Sequence, residues 1–154
     1  MYELALNAKM IDAIKKEASC MASELMRDDL TEAILYGSCA RGDYTADSDV
    51  DIALLTRCDR MEAKKYSEGL ANIATALAMK YFAVVNFVCL PADEFAEKKS
   101  WYAYFRNIDL EGEVLYGARV LSGTGQSADG TGKRAASAEY MVNKIDRYIR
   151  SNFL

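Results

Sequence analysis

A chain of 154 residues is long enough for one domain with a sizeable core, and 51% of its residues are apolar, which excludes a disordered protein. Lys and Arg total 19 against 23 Asp and Glu, giving a net charge of −4, and no basic block occurs. This balance argues against general nucleic-acid binding, which depends on neutralising many phosphates, and is compatible with a small-molecule or protein partner.

Histidine is absent, and the four cysteines contain no Cys-x-x-Cys pair. A zinc site and a Cys/His nucleophile pair are therefore not expected. We expect reduced, mostly buried thiols in a cytoplasmic protein. Neither a signal peptide nor an apolar run of about 18 residues is recognised, so no export and no membrane span are predicted.

The first elements are a helix and a short buried strand. Apolar residues recur at helical spacing from Leu6 to Met26, which predicts an amphipathic helix that covers the core. Asp28 and Asp29 end this pattern. Thr31–Tyr36 then reads as the first strand.

The strand stops at Gly37-Ser38. A glycine permits a sharp turn and a close approach of a ligand to the backbone. Ser38 suits the start of a helix, whose free N–H groups attract anions. Taken alone, a Gly-Ser pair is usually only a turn.

Ten residues separate Ser38 from Asp49-Val50-Asp51, which opens a second apolar run, 52–55. Side chains alternate on a strand, so Asp49 and Asp51 share one face, with Cα atoms about 6.6 Å apart. Two such carboxylates suit Mg²⁺, which often binds through one or two carboxylates and substrate phosphates. A lone Asp-x-Asp is more often a solvated strand end, but beside the Gly-Ser turn it predicts a nucleoside triphosphate site.

These residues resemble a known signature. Gly37-Ser38, Ala40-Arg41-Gly42 and Ser48-Asp49-Val50-Asp51 are similar to the G-S-x10-D-x-D pattern of the polymerase-beta-like nucleotidyltransferase superfamily, in particular its minimal nucleotidyltransferase branch. The resemblance covers roughly residues 30–117. It implies that Gly37 and Ser38 hold the triphosphate, with ATP as the expected nucleotide, and that Asp49 and Asp51 ligate Mg²⁺. It also implies that Arg41 fixes the loop or neutralises phosphate.

A second helix is predicted over Met61–Tyr81, followed by an apolar, β-branched and aromatic run, 82–90, that ends before Pro91. We interpret this run as a central strand. Strands joined by helical crossovers predict an α/β or α+β fold. The resemblance implies the polymerase-beta-like nucleotidyltransferase fold, a small mixed sheet flanked by helices.

Asn86 departs from the resembled pattern. The family carries a third Asp on this strand, which completes the metal site and can accept the proton of the attacking hydroxyl. Asn86 takes that third position here, and an amide can offer an oxygen to a metal but cannot act as a base. A replacement acid could come from just beyond the strand, where the chain has Asp93, Glu94 and Glu97.

Beyond Pro91, an aromatic stripe predicts a third helix, with core packing as the ordinary role of its members: Phe95, Trp101, Tyr102, Phe105 and Ile108. Val114–Tyr116 is a candidate edge strand.

We divide the chain into a nucleotidyltransferase domain (1–120), a Gly/Ser-rich linker (121–133) and a C-terminal amphipathic helix (134–154). That helix can pack on its own domain, or dock on a partner or a second copy in a homodimer.

The resemblance implies transfer of a nucleoside monophosphate from a triphosphate to an acceptor hydroxyl. The acceptor could be a partner protein, a toxin-like helical protein, as in toxin–antitoxin pairs where the small nucleotidyltransferase is the antitoxin, or a small molecule such as an aminoglycoside. The alternative, motivated by Asn86, is a catalytically impaired module that binds a nucleotide or a partner without turnover.

Overall fold

The computed structural model describes residues 5–117, which form a four-stranded mixed sheet flanked by helices. This confirms the predicted fold class. The strand order is β3-β2-β1-β4, in which β2 and β3 are parallel and the other neighbours are antiparallel. The strands are β1 (Leu30–Tyr36), β2 (Val50–Thr56), β3 (Val85–Pro91) and β4 (Glu113–Tyr116).

Helices make the connections. They are α1 (Ala8–Met26), α2 (Ser38–Arg41), α3 (Arg60–Ala63), α4 (Ser67–Tyr81), α5 (Ala92–Lys98) and α6 (Ala103–Glu111). Short 3-10 turns occupy Arg27–Asp29 and Lys64–Tyr66. The helix predicted over 61–81 is therefore divided by a 3-10 turn. None of the helices within residues 5–117 is long and apolar enough to cross a membrane.

Helix α1 begins two residues later than predicted because Asn7 caps it. The Asn7 backbone is in the extended conformation, and its side chain accepts a hydrogen bond from the Met10 N–H at 3.0 Å, which satisfies one of the unpaired donors of the first turn. Its buried residues follow helical spacing: Ile11, Ile14, Ala18, Ala22 and Met26.

The sheet separates two apolar layers. Helices α1 and α4 cover one face, over alternate β2 residues Val50, Ile52 and Leu54. Helices α5 and α6 cover the other face, over Ala53 and Leu55. Because alternate residues share a face, Asp51 belongs to the α5–α6 face, next to the start of β2.

The prediction of a central strand over 82–90 is wrong in position and extent. Strand β3 lies at the edge of the sheet and starts at Val85. Phe82 instead ends α4 in the left-handed conformation, with φ of 54°, and its side chain is 68% exposed. Within residues 5–117, β3 pairs with β2 and has no strand on its other side. The apolar run therefore leads into an edge strand, and its first residue, Phe82, is exposed.

The predicted third helix is two helices, α5 and α6, joined by a turn. In a continuous helix Phe95 and Phe105 would lie about 15 Å apart along the axis, whereas their ring centroids are 5.5 Å apart. The turn lets both rings enter the same core layer. It also leaves Trp101 and Tyr102 exposed, so core packing is wrong for these two aromatic residues.

Two further expectations meet different outcomes. All four cysteines are free thiols, but only Cys58 is buried, so the expectation of mostly buried thiols is wrong. The linker and the C-terminal helix lie outside the described residues, and those assignments stay predictions.

Phe105→Ala should destabilise the protein by about 3–5 kcal/mol, because it removes a buried ring and leaves a cavity between α5, α6 and the sheet. Trp101→Ala, at a side chain that is 66% exposed, should change the free energy of unfolding by less than about 0.5 kcal/mol. Urea denaturation of both variants checks this. Equal losses of stability in the two variants would contradict the conclusion that Phe105 is buried and Trp101 exposed.

Candidate active site

The turn after β1 brings the backbone close to a carboxylate. Gly37 has φ of 77° and ψ of −158°, a conformation open essentially only to glycine. A Cβ added there would lie 2.8 Å from Oδ2 of Asp51. Glycine is thus required at this position both by the backbone and by the neighbouring carboxylate.

The loop folds back as a single helical turn. The Gly37 carbonyl accepts hydrogen bonds from the N–H groups of Ala40 and Arg41, both at 3.1 Å, and the Gly42 N–H donates to the Ser38 carbonyl at 2.9 Å. Ser38 begins this turn, as predicted from the sequence. The arrangement is therefore strand, glycine turn and short helix.

Asp49 and Asp51 lie at the start of β2. Asp49 directly precedes β2, and Asp51 is its second residue, paired with Tyr36 on β1 and with Asn86 on β3. Thr45 and Ser48 stabilise the loop that precedes Asp49. The Thr45 N–H donates to the Ser48 hydroxyl at 2.8 Å. The Ser48 N–H donates in turn to the Thr45 carbonyl at 3.1 Å.

Asn86 joins the two carboxylates. Its Nδ2 donates to Oδ2 of Asp49 and to Oδ1 of Asp51, at 3.1 Å each. The structure thus brings Gly37, Asp49, Asp51 and Asn86 together at one end of the sheet. Strand register explains this, because Asp51 and Asn86 are direct partners in the parallel β2–β3 ladder.

Arg41 lies at the rim of this site. Its Nε contacts Oδ2 of Asp43 and its Nη1 contacts Oε2 of Glu111, each at 3.2 Å. These carboxylates, Asp43 first and then Glu111, raise the pKa of Arg41 above its usual value. Arg41 therefore ties the loop to the end of α6, which corresponds to the loop-fixing alternative in the sequence interpretation.

Two tyrosines, Tyr36 and Tyr104, lie beside the site and were not predicted from the sequence as site residues. The hydroxyls of Tyr36 and Tyr104 are 2.8 Å apart, and their rings meet edge to face with centroids 5.9 Å apart. Burial, followed by the hydrogen bond to Tyr104, raises the pKa of Tyr36 above its usual range. The position of Tyr36 before the Gly-Ser turn was a usable signal, whereas Tyr104 and Glu111 become neighbours of the site only through the packing of α6 on β1.

The proposed replacement acids lie at the other end of the sheet. Pro91 pairs with Thr56 and Asn86 with Asp51, so the residues after Pro91 begin about 16 Å along the strand from the site. Glu94 contacts Arg60 at 2.8 Å and Lys98 at 3.1 Å. The suggestion that Asp93, Glu94 or Glu97 completes the site is therefore wrong.

The donor set at the site fits a hard divalent cation. Two carboxylates converge there, and oxygen ligands of this kind suit Mg²⁺, whereas Asn86 presents its Nδ2 to the pair. Among residues 5–117, no group of three or more His, Cys, Asp or Glu side chains is placed to hold a metal ion. The carboxylate pair would be the charged part of the site, and substrate phosphates would supply further oxygens.

A family model for the nucleotidyltransferase domain matches residues 14–109. The chain belongs to this family. Two relatives in Methanocaldococcus jannaschii are both provisionally named protein adenylyltransferases. One is 35% identical over 104 residues, covering 68% of this chain and 95% of the relative. The other is 36% identical over 73 residues, covering 47% and 72%.

Among solved structures, one similar chain belongs to a toxin–antitoxin crystallised with AMP-PNP. It is 20% identical with a TM-score of 0.40, and the alignment covers 85% of this chain and 86% of that chain.

Gly37→Ala should destabilise this nucleotidyltransferase domain by about 1–3 kcal/mol, because the backbone conformation is strained for any other residue. Gly42→Ala is the matched control. It has φ of 89° but an added Cβ would meet nothing within 4 Å, so it should cost about 1–2 kcal/mol without disturbing Asp51. Urea denaturation and Mn²⁺ titration distinguish them: only Gly37→Ala should weaken cation binding. Equal weakening would show that the contact with Asp51 is unimportant.

Glu94→Gln should lower the free energy of unfolding at neutral pH. In acid, the difference between the variant and the wild type should disappear. The hydrogen bonds from Arg60 and then Lys98 lower the pKa of Glu94 from 4.5 to about 2. The stabilisation is therefore present above pH 4.5 and lost as the pH falls toward about 2. Urea denaturation of wild type and variant at pH 7 and in acid measures this, and a difference that grows in acid would contradict it.

Proposed function

We propose that the chain is a Mg²⁺-dependent nucleotidyltransferase, in which Asp49 and Asp51 ligate the ion and Gly37 and Ser38 hold the triphosphate of ATP or a related nucleotide. The observation that carries the proposal is the convergence of both carboxylates on one amide beside a turn that only glycine can form. Family membership supports the reaction class.

In the proposed reaction, an acceptor hydroxyl oxygen attacks the α-phosphorus. A new P–O bond forms to the acceptor, the bond from the α-phosphorus to the bridging oxygen breaks, and pyrophosphate leaves with that electron pair. The hydroxyl proton passes to solvent, because Asn86 cannot accept it. Mg²⁺, when bound at Asp49 and Asp51, would neutralise the negative charge of the phosphates, which is the main requirement of phosphoryl transfer.

The chain's own residues orient the reactants. The absence of a Cβ at Gly37 lets a phosphate approach the backbone next to Asp51. Arg41 can either keep its carboxylate partners, Asp43 and Glu111, or exchange them for a phosphate at the rim. The exposed edge at Asn86 gives the acceptor access to the site.

A protein hydroxyl is the acceptor class that we favour, because the relative that is 35% identical is provisionally named a protein adenylyltransferase. The resemblance to minimal nucleotidyltransferases further suggests that this acceptor protein is the toxin of a toxin–antitoxin pair. A small-molecule acceptor is the alternative. Free thiols throughout residues 5–117 are compatible with the cytoplasm, which we include in the proposal.

A second function is favoured by one observation, the amide at position 86. A neutral side chain there removes a general base, a contribution typically worth about 10²–10⁴ in rate. The chain would then bind a nucleotide or a partner protein without turnover. Transfer of label from an [α-³²P]nucleoside triphosphate to a purified toxin-like partner would exclude this function, whereas binding without transfer to any protein or aminoglycoside would favour it.

ATP with Mg²⁺ should stabilise the wild type by about 2.7 kcal/mol at 100 times its dissociation constant. Asp51→Asn should abolish this gain because it removes a charged ligand. Asp47→Asn, at an exposed loop carboxylate, is the matched control and should retain it. Thermal unfolding with each triphosphate, with and without Mg²⁺, gives the measurement. Persistence of the gain in Asp51→Asn, or its absence from the wild type with every triphosphate, would refute the proposed site.

A further inference from the structure

Asn86 occupies the place between the carboxylates where a cation would bind. An amide NH₂ group has two hydrogens, and both are used, one toward Asp49 and one toward Asp51. These bonds satisfy one oxygen of each carboxylate. The amide oxygen Oδ1 lies on the other side of the same planar group and is not the atom that faces the carboxylates.

A cation cannot bind beside this NH₂ group as it stands. The nitrogen of an amide presents hydrogens and offers no lone pair to a metal. A divalent ion that enters between Asp49 and Asp51 must therefore displace it. Because Asn86 is exposed, its side chain has room to swing away or to turn over and offer Oδ1 as a neutral ligand.

The charge of the site limits how many ions it can hold. The protein contributes two negative charges, from Asp49 and Asp51, and Asn86 adds none. The phosphates of a bound triphosphate would add anionic oxygens on the nucleotide side, so a second ion on the opposite, acceptor side would depend on a protein carboxylate. In two-metal sites the ions lie about 3.5–4 Å apart, where their mutual repulsion requires further anionic ligands. No third carboxylate joins the pair among residues 5–117, and Asp93, Glu94 and Glu97 follow the far end of β3.

We propose that this chain holds its nucleotide through a single divalent ion, and that Asn86 is the positioning residue that sets this number. The inference rests on the proposed function and makes it more specific. A carboxylate at position 86, in register with Asp51, would supply the charge for a second ion on the acceptor side. With the amide, no second ion is present to activate the acceptor hydroxyl.

The test is Mn²⁺ stoichiometry, which does not depend on turnover. The full chain is titrated with Mn²⁺ and the free ion is followed by electron paramagnetic resonance, with a saturating triphosphate analogue that has a methylene between the α- and β-phosphorus. We expect one ion on the wild type beyond the ions held by the free analogue, and two on Asn86→Asp. Asn72→Asp, the same chemical change on an exposed helix position, should keep one.

Asn86→Ser keeps a neutral oxygen at position 86 and should also bind one ion. It provides the second variant for the stoichiometry measurement if Asn86→Asp does not fold. Two ions on the wild type, or a single ion on folded Asn86→Asp, would overturn the inference and leave the proposed function standing. Two ions on Asn86→Ser would also overturn it, since a neutral side chain at position 86 would then permit the second ion and the missing charge would not be the limit. No Mn²⁺ on the wild type would refute the proposed function and the inference together.

Discussion

The repulsion between two neighbouring carboxylates is the constraint on which the site depends. Asp49 and Asp51 share one face at the end of β2, and each has an oxygen 3.1 Å from the same amide nitrogen. Charges of like sign in this arrangement need a positive partner or hydrogen-bond donors. Asn86 supplies such donors, and its two hydrogen bonds hold the carboxylates near each other.

Each neighbouring element contributes to this arrangement. The parallel ladder between β2 and β3 places Asn86 opposite Asp51, and the antiparallel ladder between β1 and β2 places Tyr36 on the other side. Gly37 gives the Asp51 carboxylate space that a methyl group would fill. Helix α6 contacts the site at both of its ends, through Tyr104 to Tyr36 and through Glu111 to Arg41.

The amide at position 86 is neutral and cannot accept a proton. Phosphoryl transfer depends mainly on positioning and charge stabilisation, so in the proposed reaction the lack of a base at this position need not remove nucleotide binding. Strand β3 lies at the edge of the sheet, which leaves Asn86 exposed. The residue that departs from the family pattern is thus also the one that faces the approach to the site.

The sequence by itself determined the signature, the position of the turn at Gly37 and the pairing of Asp49 with Asp51 on one face, because these follow from local spacing. It also determined α1, because apolar periodicity is local, whereas the mixed sheet was expected from the family resemblance. Tertiary structure alone decided that β3 is an edge strand and that the aromatic stripe bends into α5 and α6, since burial depends on what packs opposite. It also separated Glu94 from the site and brought Tyr104 and Glu111 to it, because strand register and helix docking join residues that are distant along the chain.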